Sequence, residues 1–278
     1  MNDDAPLKES QASDRETLYF EFLADMGFTK HIGGMASTEE LIEACYIDEG
    51  KYVLDVGCGV GSTPCCLART YRCHVVGVDI TGGMIDRANE RAAKEGLQDL
   101  VEFRVADARD LPFHDAVFDV VMVESVIALV ADKQKAVHEL VRAAKPGGYV
   151  GLNESTWVKG PPQKTIDFFA RALGSNLQIL TADGWQELLV EAGLKDVTAN
   201  AHSITYRSEA SNRLKRMGWK EIGRIFYRFF AVALTNPVYK GFMKDALADP
   251  RGMMEYVGYG IYAGRKWLAR CLPGERAG

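Results

Sequence analysis

One bend constrains this chain more than any other feature. The run Val53-Leu54-Asp55-Val56 is apolar apart from a single acid, and it breaks at Gly57-Cys58-Gly59-Val60-Gly61 into Ser62-Thr63-Pro64. A short buried strand must therefore turn sharply into a helix that begins near Ser62. Three glycines keep the turn free of Cβ atoms, and the helix behind them offers unsatisfied N–H groups at the positive end of its dipole. A polar ligand docks at such a corner.

The bend sits in a repeating pattern. Short apolar runs YVLDV, CHVVGV, VEFRV, FDVVMV and YVGLN alternate with helical stretches at about 62–71, 82–95 and 131–144. In the last of these, Val137, Leu140, Val141 and Ala144 make one apolar face, and Lys145-Pro146-Gly147-Gly148 ends it. Alternation of this kind specifies an α/β layered sheet, and the near-continuous apolarity of the runs specifies parallel strands covered on both faces. Ser13 with Glu16 and Ser37 with Glu40 form capping boxes for two helices ahead of the first strand. Two further helices are expected at 163–173 and 182–193, the second capped by Thr181, with strands at 197–206 and from Tyr256 to Ala263. That makes a seven-stranded, mostly parallel sheet. Its domain comprises residues 1–206 and 255–278, interrupted by a helical insertion at 207–254.

The 278 residues carry a net charge of −5, which argues against DNA as a partner. No stretch approaches the roughly 20 apolar residues of a membrane span, and the acidic N-terminus is unlike a signal peptide, so a cytoplasmic location is expected. Six cysteines (Cys45, Cys58, Cys65, Cys66, Cys73, Cys271) form no CxxC pair and have no His at ligand spacing, so reduced thiols and no metal are expected.

A glycine-rich βα turn alone also serves dinucleotides. Here the spacing is G-x-G-x-G, and Asp55 lies two residues before the first glycine, where it would repel a pyrophosphate and suit an ammonium group. Asp79 ends the second run eighteen residues past Gly61, where an acid accepts both hydroxyls of a ribose. Asp107 follows the third run, placed for an adenine amino group.

The ordered series VLDVGCGVG, VVGVDIT, VADARDLPF, FDVVMVES and AAKPGG resembles the class I S-adenosylmethionine-dependent methyltransferases, within them the small-molecule branch of the ubiquinone and menaquinone methylases. The likeness is close over residues 28–155 and looser beyond. It implies a Rossmann-like, doubly wound fold whose last strand is antiparallel, and S-adenosyl-L-methionine as cofactor. It further implies that Gly57, Cys58, Gly59 and Gly61 line the methionine half, that Asp55 helps hold the ammonium, and that Asp79 holds the ribose. Ile80 would pack on adenine, with Asp107 and Ala108 at the adenine edge. The stretch Lys30-His31-Ile32-Gly33-Gly34 is similar to an H-x-G-G segment of many relatives and would close over the cofactor or simply turn between helices.

Methyl transfer needs alignment more than a fixed catalytic residue, although an acidic acceptor benefits from a base. Glu124 and Ser125 after the fourth run, and Asn153, Glu154 and Trp157 after the fifth, fall at strand ends where α/β folds bind ligands. Glu154, Glu124 and His31 are the catalytic candidates, with Glu124 also a candidate for the methionine half. Residues 207–254 carry ten Lys and Arg against four acids, +6 within a chain of −5, with Lys220, Arg224 and Arg228 opposite a stripe that includes Phe226, Phe229 and Phe230. Such a segment suits a lid over a lipophilic acceptor, a homodimer contact, or a peripheral membrane contact. The function expected is methyl transfer to a small, lipophilic or aromatic acceptor of quinone, phenol or thiol type. An NAD(P)-dependent oxidoreductase and a non-catalytic S-adenosylmethionine-binding regulator are the alternatives.

Overall fold

The computed structural model describes residues 31, 33–173, 176–203 and 255–267. The helix expected behind Ser13, the 207–254 segment, Lys30, Ile32 and Cys271 lie outside the described residues.

Strands β1 (Tyr52–Val56), β2 (His74–Asp79), β3 (Val101–Val105), β4 (Phe118–Glu124) and β5 (Ala144–Trp157) run parallel to one another. Their connections carry helices α2 (Ser62–Tyr71), α3 (Gly82–Glu95) and α4 (Lys133–Ala143), with α1 (Gly34–Ala44) ahead of β1. Beyond β5 come α5 (Gln163–Leu173), the two-residue β6 (Leu180–Thr181), α6 (Ala182–Glu191), β7 (Leu194–Ser203) and β8 (Val257–Lys266). The sheet order is β3-β2-β1-β4-β5-β8-β7, with β6 pairing β5. β8 is antiparallel to both neighbours. The sheet thus has eight strands where the hydrophobic pattern indicates seven, because two residues are too few to show a period.

Each face of the sheet has its own core. Leu54, Val56, Val121 and Val123 pack with Leu140, Trp185 and Leu189. Val53, Val120 and Met122 pack on the opposite face with Leu41, Ile42, Leu67 and Ala88. Strands buried on both sides cannot alternate, which is why the runs read as continuously apolar.

Two local expectations are corrected. Ser37 does not cap α1, which starts at Gly34 behind Gly33 in a left-handed turn (φ 87°). Ser37 is instead fully buried in the first turn, donating to the Gly34 carbonyl (2.8 Å) and accepting from Asn153 Nδ2 (2.9 Å), while Glu40 accepts from Asn200 and His202 of β7. The helix ahead of β5 ends at Ala143, so Ala144, expected on its apolar face, opens β5 instead; Lys145-Pro146-Gly147-Gly148 bulges within that strand, where a Cβ on Gly148 would stand 2.6 Å from the Asp119 carbonyl oxygen. Thr181 does cap α6, accepting from Gly184 N (3.2 Å).

From β1 the chain steps outward to β2 and β3, then returns across β1 to β4 and β5. The reversal opens a crevice above the carboxyl ends of β1 and β4, where sheets of this topology bind ligands.

Candidate active site

The bend after β1 forms the floor of that crevice. Gly57, Gly59 and Gly61 all have positive φ (76°, 52° and 74°). The amides of Gly57 and Cys58 donate to the Val78 carbonyl (2.7 and 2.9 Å), which draws the turn against β2. A Cβ on Gly57 would collide with Val126 Cγ2, and one on Gly61 would stand 2.7 Å from Phe103 Cζ. A Cβ on Gly59 would meet nothing within 4 Å, so this backbone faces open space. The Cys58 thiol is turned inward, and burial raises its pKa.

Three acids converge over this floor. Asp79 ties it down: Oδ2 accepts from Gly59 N (3.0 Å) and Oδ1 from Thr81 N (2.9 Å). Burial raises its pKa, against the pull of those two amides. Asp55 is 2 % exposed, and its pKa lies well above the ordinary carboxylate value, first because it is desolvated and then because Glu124 and Asp79 face it. Among the described residues no donor reaches its carboxylate, and no Lys or Arg pairs with any of the three. Glu124, the last residue of β4, accepts from Thr38 (3.0 Å) and from Thr63 in the first turn of α2 (2.8 Å), with Asn153 Nδ2 at 3.4 Å. His31 Nε2 lies 3.2 Å from Glu124 and 2.9 Å from Thr38 Oγ1, so the segment ahead of α1 reaches into the site.

Further along the crevice, Ile80 and Val105 are 67 % and 57 % exposed at the ends of β2 and β3. Both leave apolar surface bare on this side of the sheet's carboxyl edge. Ala108 beside them is buried. Asp107 does not stand free: Arg109 forks onto both its oxygens (Nη2 to Oδ2, 2.6 Å) and holds its pKa low.

A family model for the methyltransferase domain matches residues 54–152. The chain is 30% identical over 186 residues to 27-O-demethylrifamycin SV methyltransferase of Amycolatopsis mediterranei, covering 66% of this chain and 68% of that enzyme. The chain belongs to the class I S-adenosylmethionine-dependent methyltransferases. It is 32% identical over 200 residues to phosphoethanolamine N-methyltransferase 1 of Arabidopsis thaliana, covering 72% of this chain but only 40% of that enzyme. Its fold matches that of Haemonchus contortus phosphoethanolamine N-methyltransferase 2 in complex with S-adenosyl-L-methionine. There the TM-score is 0.68 and the identity 22%, over 91% of this chain and 57% of that one. S-Adenosylmethionine is the methyltransferase's cofactor, and the dinucleotide alternative falls with this assignment.

The remaining acid of the methyltransferase is placed differently from its sequence expectation. Glu154 lies within β5, not after it, and is wholly buried. Its Oε1 accepts from Val126 N (2.9 Å) and Ile127 N (2.7 Å), and its Oε2 from Ala128 N (3.3 Å), at the start of a 3₁₀ turn, Ile127–Leu129. Burial pushes its carboxyl up to about 7 despite these three amides. Its carboxyl is thus committed to backbone inside the core. Trp157, likewise inside β5, packs edge-on against Phe169 of α5 (5.8 Å). Sequence reasoning missed Thr38, Thr63 and Val126. Thr63 was recoverable, since it sits in the first turn behind the bend, whereas Thr38 and Val126 reach the site only through long-range packing.

Proposed function

We propose that the convergent acids of the crevice hold the cationic end of S-adenosylmethionine, and that the acceptor is a small lipophilic or aromatic molecule of phenol, quinone or thiol type. The observation that carries the first part is Asp55: a buried carboxylate with no donor among the described residues, beside two others, is stable in the charged state only opposite a cation. The ammonium group of the cofactor supplies that charge, while a pyrophosphate would meet three negative groups. When bound, the cofactor supplies a methyl group on a positively charged sulfur. Gly59 leaves room for the methionine half, the Asp79 carboxylate accepts from the ribose hydroxyls, and Ile80 with Val105 covers the adenine. Asp107, already forked by Arg109, contributes its backbone neighbourhood at the adenine edge, together with Ala108.

On the acceptor side, His31 and Glu124 stand at the end of β4, joined to each other and to Thr38. The pair receives the proton of an acidic O–H or S–H acceptor, and the acids exclude competing anions. The aromatic edge of Trp157 and Phe169, and the basic, Phe-rich sequence of 207–254 as a lid, support a lipophilic acceptor. The rifamycin enzyme's name is consistent with one.

Asp79→Ala should weaken S-adenosylmethionine binding by about 1–3 kcal/mol, through loss of charge-assisted hydrogen bonds. Calorimetry returning wild-type affinity would refute the ribose assignment. A screen with radiolabelled methyl donor against phenols, quinones, thiols and amines should label the first three classes, and labelling of amines alone would overturn the acceptor reading. Deleting 207–254 should leave cofactor affinity intact and abolish labelling, and retention of full turnover would exclude the lid.

A further inference from the structure

We propose that Glu154 is a positioning residue of the methyl-transfer site, which sets the cofactor bend by gripping the backbone of residues 126–128. The inference rests on the cofactor reading above and extends it to a residue that touches no ligand.

The segment between β4 and α4 is held from both ends by buried charge. At its start, the Glu154 carboxylate collects the amides of Val126, Ile127 and Ala128. At its close, Lys133, only 7 % exposed, donates to the Val130 carbonyl (2.8 Å). The anion thus sits at the amide end of the single 3₁₀ turn and the cation beyond its carbonyl end, the arrangement that turn polarity favours. Just ahead of the gripped amides Ser125 holds a positive φ of 60°, a strained conformation for a non-glycine residue, and its amide is drawn to the Asn153 carbonyl (2.7 Å).

Two site elements depend on this segment. Glu124, the hub for Thr38, Thr63 and His31, precedes Ser125 directly. Val126 fills the space beside Gly57, the first glycine of the bend. A shift of the 126–128 backbone therefore moves the wall against which the bend is packed. It also moves the acid that links α1 to α2. The chain just ahead of β6 is attached to the same segment, since Gln178 N donates to the Ala128 carbonyl (2.8 Å).

The test is calorimetric S-adenosylmethionine binding to five full-length variants, each first checked by thermal melting to be folded at the assay temperature. Glu154→Gln keeps the shape but turns an amide donor toward backbone N–H groups, and it should weaken binding about tenfold. Val126→Ala acts on the same route without touching buried charge, and it should weaken binding about threefold. The double variant should bind no more weakly than Glu154→Gln alone, since both act through one contact. Asp119→Asn is the control, because Asp119 also accepts a backbone amide (Tyr52 N, 2.9 Å) but at the opposite end of the sheet; it should bind normally. Wild-type affinity in Glu154→Gln, additive losses in the double variant, or equal weakening in Asp119→Asn would overturn the proposal. Asp79→Ala in the same series separates the two readings. Weakened Asp79→Ala beside unchanged Glu154→Gln removes only this inference, whereas unchanged Asp79→Ala removes the cofactor assignment beneath it.

Discussion

Gly57→Ala is expected to lose measurable S-adenosylmethionine binding and to destabilise the ligand-free methyltransferase by about 2–5 kcal/mol. That range adds the cost of a left-handed residue with a Cβ to that of overpacking against a rigid neighbour. Both penalties come from the same atom. At φ 76° an alanine is strained in any surroundings, and here its Cβ collides with Val126 Cγ2. The neighbour cannot retreat cheaply, because the amides of Val126, Ile127 and Ala128 are all committed to Glu154. The turn cannot retreat either, with the Gly57 and Cys58 amides both bonded to the Val78 carbonyl. Combining Gly57→Ala with Val126→Ala separates the two costs: the collision is relieved and part of the melting temperature should return, while the strain in φ stays. Gly59→Ala is the informative contrast. Its Cβ points into open space, so the ligand-free protein should lose about 1–2 kcal/mol, the left-handed penalty alone, while cofactor affinity falls because that space is needed. Equal melting temperatures for the Gly57 and Gly59 variants would contradict the packing described.

The difference between these two glycines marks the limit of what the sequence discloses. The strand, the bend and the helix at Ser62 are legible because each is encoded within a few consecutive residues: a β-branched run, glycines, a helix start. The order of acids Asp55, Asp79 and Glu124 is legible for the same reason, since each lies in the last two residues of its own strand. Which glycine is wedged and which is open depends on Val126, some seventy residues away, and that contact has no local signature. Glu154 shows the same limit from the other direction. A carboxylate near the end of the fifth strand is a reasonable acceptor-facing group on spacing alone, but β5 continues to Trp157 and turns Glu154 inward under the β4 segment. Ser37 and Glu40 have the spacing of a capping box, yet Gly33 starts the helix a turn earlier and frees both side chains for tertiary contacts. In each case local propensity was overridden by a partner distant in sequence.

Asp55→Asn should make the ligand-free methyltransferase more stable above neutral pH and at the same time weaken cofactor binding roughly 30- to 100-fold, the value of a charge-assisted contact. The two effects share one cause. Desolvation, Glu124 and Asp79 raise the Asp55 pKa in the folded state above its ordinary value of 3.8. Between that value and the raised one, the folded protein keeps a proton that the unfolded chain has released, so stability contributed by this group is present at low pH and lost as pH rises through the window. Glu154, pushed up to about 7, adds a loss of the same sign, so the asparagine flattens the profile in part and not completely. A bound ammonium group reverses the preference at Asp55 by favouring its ionised form. Binding must then expel a proton, and affinity must strengthen as pH rises across the same window. Calorimetry in buffers of different ionisation enthalpy reads that proton directly: wild type should release it below the raised pKa, and Asp55→Asn should not. Identical proton release from both proteins would mean that the cation sits elsewhere. A less stable asparagine variant would mean that Asp55 already has a partner in the folded chain. On the proposed reading, the expected pairing of higher stability with poorer binding follows from a buried acid that finds no compensating charge among the described residues until the ligand's cation arrives.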